Sequence, residues 1–205
     1  MDPTLVIFTD HLRWADPLER LRVICHSAVA GSVLVVVRDY QQSVRERVEL
    51  LRALAVVCAS SSQHLAVADR ADVGRALAVA ALHLPGGGLS PCRLRNDFSY
   101  LSRSGHDWDT LSQSQQRCLD AVFVSPVFAT LKGRSALGIA GLEERVTQLK
   151  REAPSLSCFA LGGVTKENAA QCLQAGAAGV GVMSAALAEG ADFRGLLAAL
   201  SIRSD

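Results

Sequence analysis

The chain has no excess of charge of either sign. Its 21 Lys and Arg against 20 Asp and Glu leave a formal net charge of +1. No run of basic residues is present, so no broad field favours nucleic acid or an acidic membrane surface. Any anion site is therefore local. Lysine is scarce, limited to Lys132, Lys150 and Lys166, so a lysine in a loop stands out. Zinc-type patterns are missing: Cys25, Cys58, Cys92, Cys118, Cys158 and Cys172 form no CxxC pair and lie near no histidine at ligand spacing. They read as small buried hydrophobes. No apolar run approaches the ~20 residues of a membrane helix, and MDPTLVIFTDH opens on acid and proline rather than a basic leader. A cytoplasmic protein without nucleic-acid or membrane partners is expected. Composition with 49% hydrophobic residues excludes bulk disorder.

What is present is a repeated alternation. Apolar, β-branched runs occur at Leu5–Thr9, Ser32–Arg38, His64–Ala68, Ala80–Leu84, Phe98–Arg103, Ala121–Ser125, Ser157–Leu161 and Gly179–Met183. Helical periodicity separates them, most clearly at Val44–Cys58 (Val44, Val48, Leu51, Leu54, Ala55, Cys58), Leu142–Lys150 and Lys166–Ala175. Strands that are apolar throughout are covered on both faces, which requires a parallel sheet with helices outside it. Eight such units in 205 residues predict a single-domain (β/α)8 TIM barrel over residues 1–205, close to the ~200-residue lower limit of that fold. A doubly wound open sheet is the alternative. Ser90-Pro91 and Thr165-Lys166-Glu167-Asn168 are expected to start helices, with Ser90 and Thr165 as capping hydroxyls.

In such a barrel, chemistry belongs at the carboxyl ends of the strands. The loops after strands seven and eight, Ala160–Thr165 and Val182–Leu187, predict a phosphate cradle. There Gly162 and Gly163 let backbone amides approach an anion, Met183 and Ser184 close it, and helix N-termini add positive charge. On that reading Gly163→Val abolishes phosphate binding and leaves the fold intact; the alternative is a plain tight turn. Arg38 emerges at the mouth as a phosphate or carboxylate fork, or pairs with Asp39 or Asp69. Asp69 could hold a cation and Arg70 a phosphate, or Asp69 could cap a helix. Ser104 and His106 flank a glycine at a strand end, where His106 could act as acid or base; a structural role serves equally for it and for His11, His26, His64 and His83. The loop SPVFATLKGRSALG reads as a lid carrying Lys132 and Arg134 over an anion, with a merely solvated loop as the alternative.

Taken in order, TLVIFTD, VLVVVRDY, LAVADRADVGRAL, ALHLPGGGLSP, SRSGHD, VFVSPVFATLK and FALGGVTKENAAQCLQAGAAGVGVMSAAL resemble the thiamin phosphate synthase family and its TenI-type relatives. The resemblance implies a TIM barrel that joins a hydroxymethylpyrimidine diphosphate to a thiazole phosphate, with Mg2+ and basic side chains holding the diphosphate. It assigns Arg38, Asp69, Arg70, Ser104 and His106 to family positions. Gly162, Gly163, Ser184 and Thr130 match the thiazole-phosphate half, Asp69 is the candidate metal ligand, and His106 and Lys132 are the candidate catalytic groups. Departures fall on the diphosphate half. The family lysine is Tyr40, the asparagine before Asp69 is Ala68, and the segment with a second metal carboxylate is Pro85-Gly86-Gly87-Gly88; Lys132 is displaced by one place.

LPGGGLSP instead looks like the TenI branch, whose activity is aromatisation of a thiazole carboxylate phosphate, although that branch's histidine is Pro126 here. The implied function is a family member of thiamin biosynthesis that binds a thiazole phosphate or thiamin phosphate, without full synthase chemistry. A divergent Mg2+-dependent synthase and a non-catalytic phosphate binder are the alternatives. Mg2+ is expected only if synthase activity is retained, with Asp10 or Asp39 as a second carboxylate, and homodimer formation is left open.

Overall fold

Short segments that are apolar on both sides must be covered on both sides. The structure, a computed structural model describing residues 1–10, 17–105, 112–130 and 135–201, meets this demand by closing the strands into one parallel barrel. They run in chain order: β1 (Leu5–Phe8), β2 (Val33–Val37), β3 (His64–Ala68), β4 (Ala81–Leu84), β5 (Tyr100–Ser104), β6 (Ala121–Val124), β7 (Ser157–Leu161) and β8 (Gly179–Val182). Leu5 lies opposite Val33 on β2 and opposite Val180 on β8, which closes the ring. The expected barrel is therefore the fold, and the open sheet is not. The fifth strand starts later than expected. The amides of Ser99 and Tyr100 both turn to the Ala80 carbonyl, and Phe98 leaves the sheet to bury its ring against Gly74.

The barrel is surrounded by α1 (Pro17–Ser27), α2 (Val44–Ser60), α3 (Ala71–Ala76), α4 (Gln113–Gln116), α5 (Gly138–Glu152), α6 (Ala169–Gln174), α7 (Ser184–Leu187) and α8 (Phe193–Ser201). Two expected helix starts are corrected. After Ser90 only a 3-10 turn forms, Pro91–Arg93, and the Ser90 hydroxyl caps nothing. The sixth helix begins at Ala169 because the Thr165 amide donates to Asn168 Oδ1 at 2.8 Å, closing a turn ahead of it. Ser43 and Glu46 form a reciprocal capping box that fixes the start of α2. The buried stripe of α2 is Arg47, Leu50, Leu51, Leu54, Val57 and Cys58. Val44 and Ala55, expected on it, are exposed instead. An arginine thus occupies the first position of an apolar face.

Alternate residues fill the barrel interior, with Phe8, Phe123 and Phe159 as its bulk. Phe123 stacks on Phe159 at 5.1 Å and meets Phe8 edge-on at 5.2 Å. β8, between the strands that carry Phe159 and Phe8, is correspondingly small: a Cβ on Gly179 would come within 2.8 Å of the Phe159 ring, and one on Gly181 within 3.2 Å of Phe123. Large rings beside bare backbone give a packed interior rather than a pore. Cys25, Cys58, Cys158 and Cys172 are buried free thiols, whereas Cys92 is exposed and Cys118 half-buried. Among the described residues no helix is long and apolar enough to cross a membrane.

Candidate functional site at the barrel mouth

Parallel closure brings the carboxyl ends of all eight strands to one mouth, so the residues just after them become neighbours. On the β7–β8 side, Gly162 and Gly163 follow β7 at φ +91° and +67°, a region that glycine enters without cost. The loop after β6 lies along them. The Val127 amide donates to the Leu161 carbonyl and the Phe128 amide to the Gly162 carbonyl, each at 3.0 Å. A Cβ on Gly162 would stand 2.9 Å from Pro126 Cα, and one on Gly163 2.7 Å from the Ala129 carbonyl oxygen. Gly163→Val would therefore wedge two loops apart, which corrects the expectation that the fold would ignore it. The same path leaves the amides of Gly163 and Ser184 without an acceptor among the described residues. Both residues are exposed, and Thr130 on the facing loop is half-buried. Because α6 and α7 span only 6 and 4 residues, the helix-end charge foreseen from the sequence is slight, and what these loops offer is individual amides.

The β1–β3 side is built from side chains. The Arg38 guanidinium sits 3.9 Å from the Asp10 carboxylate, 3.8 Å from Met183 Sδ and 5.6 Å from the Tyr40 ring centroid. Neither partner weighed from the sequence takes it: Asp39 is buried and accepts the Thr9 hydroxyl, and Asp69 points to solvent. The Asp69 backbone is left-handed, at φ +61°, and its amide is held by the His83 carbonyl at 2.9 Å. Asp69 is not a helix cap. Arg70 stands at that position and forks onto Asp72 at 2.8 and 2.5 Å, pushing the Asp72 carboxyl down to about 2. From α2, Arg47 reaches the same place, donating to the Ala68 carbonyl at 2.7 Å with its guanidinium 5.9 Å from the Tyr40 ring. A cleft of about 80 Å³ opens among Thr9, Asp10, Arg38, Asp39, Tyr40, Gln41 and Gln42. A larger cavity of about 650 Å³ lies at the opposite end, by Tyr100 and Ser157 at the starts of β5 and β7, the face where barrels invest in stability.

Between the two walls, His83 points inward from β4. Its Nδ1 lies 3.0 Å from Ser102 Oγ and its Nε2 3.2 Å from Ser104 Oγ, with Phe8 and Phe123 edge-on at 5.0 and 5.2 Å. Burial, and after it the Arg38 charge, hold its pKa down to about 3. A neutral imidazole with one donor and one acceptor therefore fixes the Ser104 hydroxyl under the mouth. Sequence reasoning had grouped His83 with the structural histidines. The available signal was a polar residue at an inward position of a strand otherwise apolar. His106 and Lys132, the two candidate catalytic groups, lie outside the described residues.

The carboxylates at the mouth do not suit a divalent metal ion. Hard cations need several oxygens converging on one point, whereas Asp10 faces Arg38, Asp39 is held by Thr9, and Asp69 does not line the cleft with them. Among the described residues no group of three ligands could hold a metal.

Comparison with known proteins shows the fold and the family. The chain is 28% identical over 170 residues to a thiamine-phosphate synthase of Chloroflexus aurantiacus, covering 82% of this chain and 78% of the relative. It is 31% identical over 188 residues to one of Azorhizobium caulinodans, covering 90% and 87%. The solved thiamine phosphate pyrophosphorylase from Pyrococcus furiosus superposes with a TM-score of 0.82 at 21% identity, over 98% of this chain and 96% of that one; at that identity the likeness speaks for the fold. The thiamine monophosphate synthase family matches residues 5–186, a span that runs from β1 through the loop after β8 and includes both walls of the mouth, and this chain belongs to that family.

Proposed function

We propose that the protein acts in thiamin biosynthesis by binding the phosphate of a thiazole-type ligand at the β7–β8 loops, without the full metal-dependent synthase chemistry. One observation carries the reading: the exposed amides of Gly163 and Ser184, which have no acceptor among the described residues. Two amides at a glycine-lined loop suit a phosphate dianion, which accepts hydrogen bonds from every side. Arg38 is near enough to Met183 to add its charge, and Ser104, steadied by His83, faces the body of the ligand. Thr130 closes the site from the β6 loop.

The synthase reading has its own support in the relatives' names and in Arg38 and Arg70 at the ends of β2 and β3. Against it stand the missing lysine at Tyr40 and the scattered carboxylates. Calorimetry separates the two. Thiazole phosphate is expected to bind more tightly than inorganic phosphate with no metal present. Sequential turnover of pyrimidine diphosphate and thiazole phosphate that releases pyrophosphate and stops with chelator would establish the synthase instead, and failure of thiazole phosphate to compete with inorganic phosphate would end the proposed reading.

A further inference from the structure

β5 turns three hydroxyls into the barrel, on Tyr100, Ser102 and Ser104. Those of Ser102 and Ser104 meet the two ring nitrogens of His83, but the lowest, on Tyr100, has no such partner. Its phenol belongs to the inner cluster, is 5% exposed, and makes no hydrogen bond to a described residue. It lines the cavity of about 650 Å³ at the base of the barrel, with Asp2, Ser157, Phe159, Leu173 and Gln174. Burial, and after it the Asp120 and Asp2 carboxylates, raise the Tyr100 pKa from its ordinary value, so the group stays a neutral hydroxyl in a negative field. A buried hydroxyl without a partner is costly. One that opens on a cavity is completed by what fills the cavity.

We propose that this base cavity is a second ligand site, for a small unphosphorylated heteroaromatic amine. Its volume is that of a small-molecule site, with an apolar lining and a few convergent polar groups. Its charge is the reverse of the mouth's. Arg38 lines the cleft at the mouth, whereas among the described residues the base cavity has no basic side chain and one acidic one, Asp2. A phosphate there would meet a carboxylate with no cation to offset it. An amine instead donates to Asp2, while a ring nitrogen accepts the Tyr100 hydroxyl. Ser157 and Gln174, whose side chains also make no hydrogen bond to a described residue, serve as donor or acceptor. The ring itself packs against Tyr100 and against Phe159, which is stacked on Phe123 and closes the inner end. Turnover in a barrel belongs to the mouth, so the base is assigned binding alone. The inference does not depend on the reading of the mouth, which lies at the other end of the strands.

The test is NMR titration of the full-length protein, labelled at its tyrosine rings, with cytosine, which carries the amine, and with uracil, which lacks it. Tyr40 and Tyr100 are the two tyrosines of the chain, one at each end of the barrel, so each end reports separately. Cytosine is expected to shift the Tyr100 signals saturably, with a Kd of about 1 mM, and to leave Tyr40 unmoved. Uracil is expected to bind about tenfold more weakly, as the loss of a charge-assisted contact implies, and saturating inorganic phosphate to leave the cytosine affinity unchanged. Tyr100→Phe, which removes only the hydroxyl, is expected to weaken cytosine about fivefold in ligand-observed spectra. Tyr100 signals that stay still, or that move without saturating, overturn the site. Equal binding of uracil overturns the ligand class, competition by phosphate overturns the separation of the two ends, and unchanged affinity in folded Tyr100→Phe overturns the role of its hydroxyl. Should Tyr100→Phe not fold, Asp2→Asn at an exposed position is expected to weaken cytosine about threefold, and an unchanged affinity counts against the site. Failure of thiazole phosphate to bind would end the reading of the β7–β8 loops and leave this result standing.

Discussion

Around Gly162 and Gly163 the chain strips away side chains and offers backbone amides, while around Arg38, Tyr40 and Arg47 it crowds three large polar side chains onto the ends of β2 and α2. As candidate anion sites the two sides are built differently. An amide brings no rotamer entropy and no net charge, but it points correctly only while the backbone keeps its shape. A guanidinium brings full charge and a planar fork, yet must be held in place and desolvated. The glycine wall is therefore inseparable from the fold, because its carbonyls also carry the β6 loop. The arginine wall is separable, and its members can be replaced one at a time.

The sharpest way to break that contrast is Gly163→Val. A β-branched residue at φ +67° with a Cβ 2.7 Å from a carbonyl oxygen is expected to lower stability by about 3 kcal/mol and to remove phosphate binding together with it, as urea denaturation and calorimetry would show. Arg38→Ala is expected to behave oppositely, weakening phosphate affinity by about 2 kcal/mol with the melting temperature nearly unchanged; a large drop in melting temperature would mean that the arginine wall is structural too.

His83 lies beneath both walls and sets a pH dependence. From its ordinary value of 6.5 down to about 3, the unfolded chain binds a proton that folded His83 refuses. Stability therefore falls as pH drops through that window, by up to about 1.4 kcal/mol per pH unit. Urea midpoints at successive pH values are expected to show the slope, and His83→Asn to flatten it. Least affected is the rim: Arg70→Gln removes an exposed fork to Asp72 and is expected to change stability by less than about 0.5 kcal/mol in the same denaturation assay.

The barrel was legible from the strands alone, because runs such as Val33–Val37 are buried at every position and only a sheet covered on both faces accepts them. Positions at strand ends followed from the fold, so Arg38, Gly162, Gly163 and Ser184 were placed at the mouth without any contact information. Arg47 was not, because an arginine among Val44, Val48 and Leu51 reads as a solvated residue until the phase of the helix is known; the true stripe is rotated to include it. His83 was missed for a related reason, since inward and outward positions of a four-residue apolar strand look alike. The capping residues Ser90 and Thr165 misled because local hydrogen bonds of turns compete with those of helices.

Arg38 touches Met183 on one side and the Tyr40 ring on the other, and Met183 immediately precedes Ser184. One cation thereby touches both walls of the mouth across β1. On the proposed reading, a phosphate on the glycine wall draws on the Arg38 charge, so any anion taken up on the arginine wall is thermodynamically linked to it, and the factor by which one alters the other must be the same in both directions.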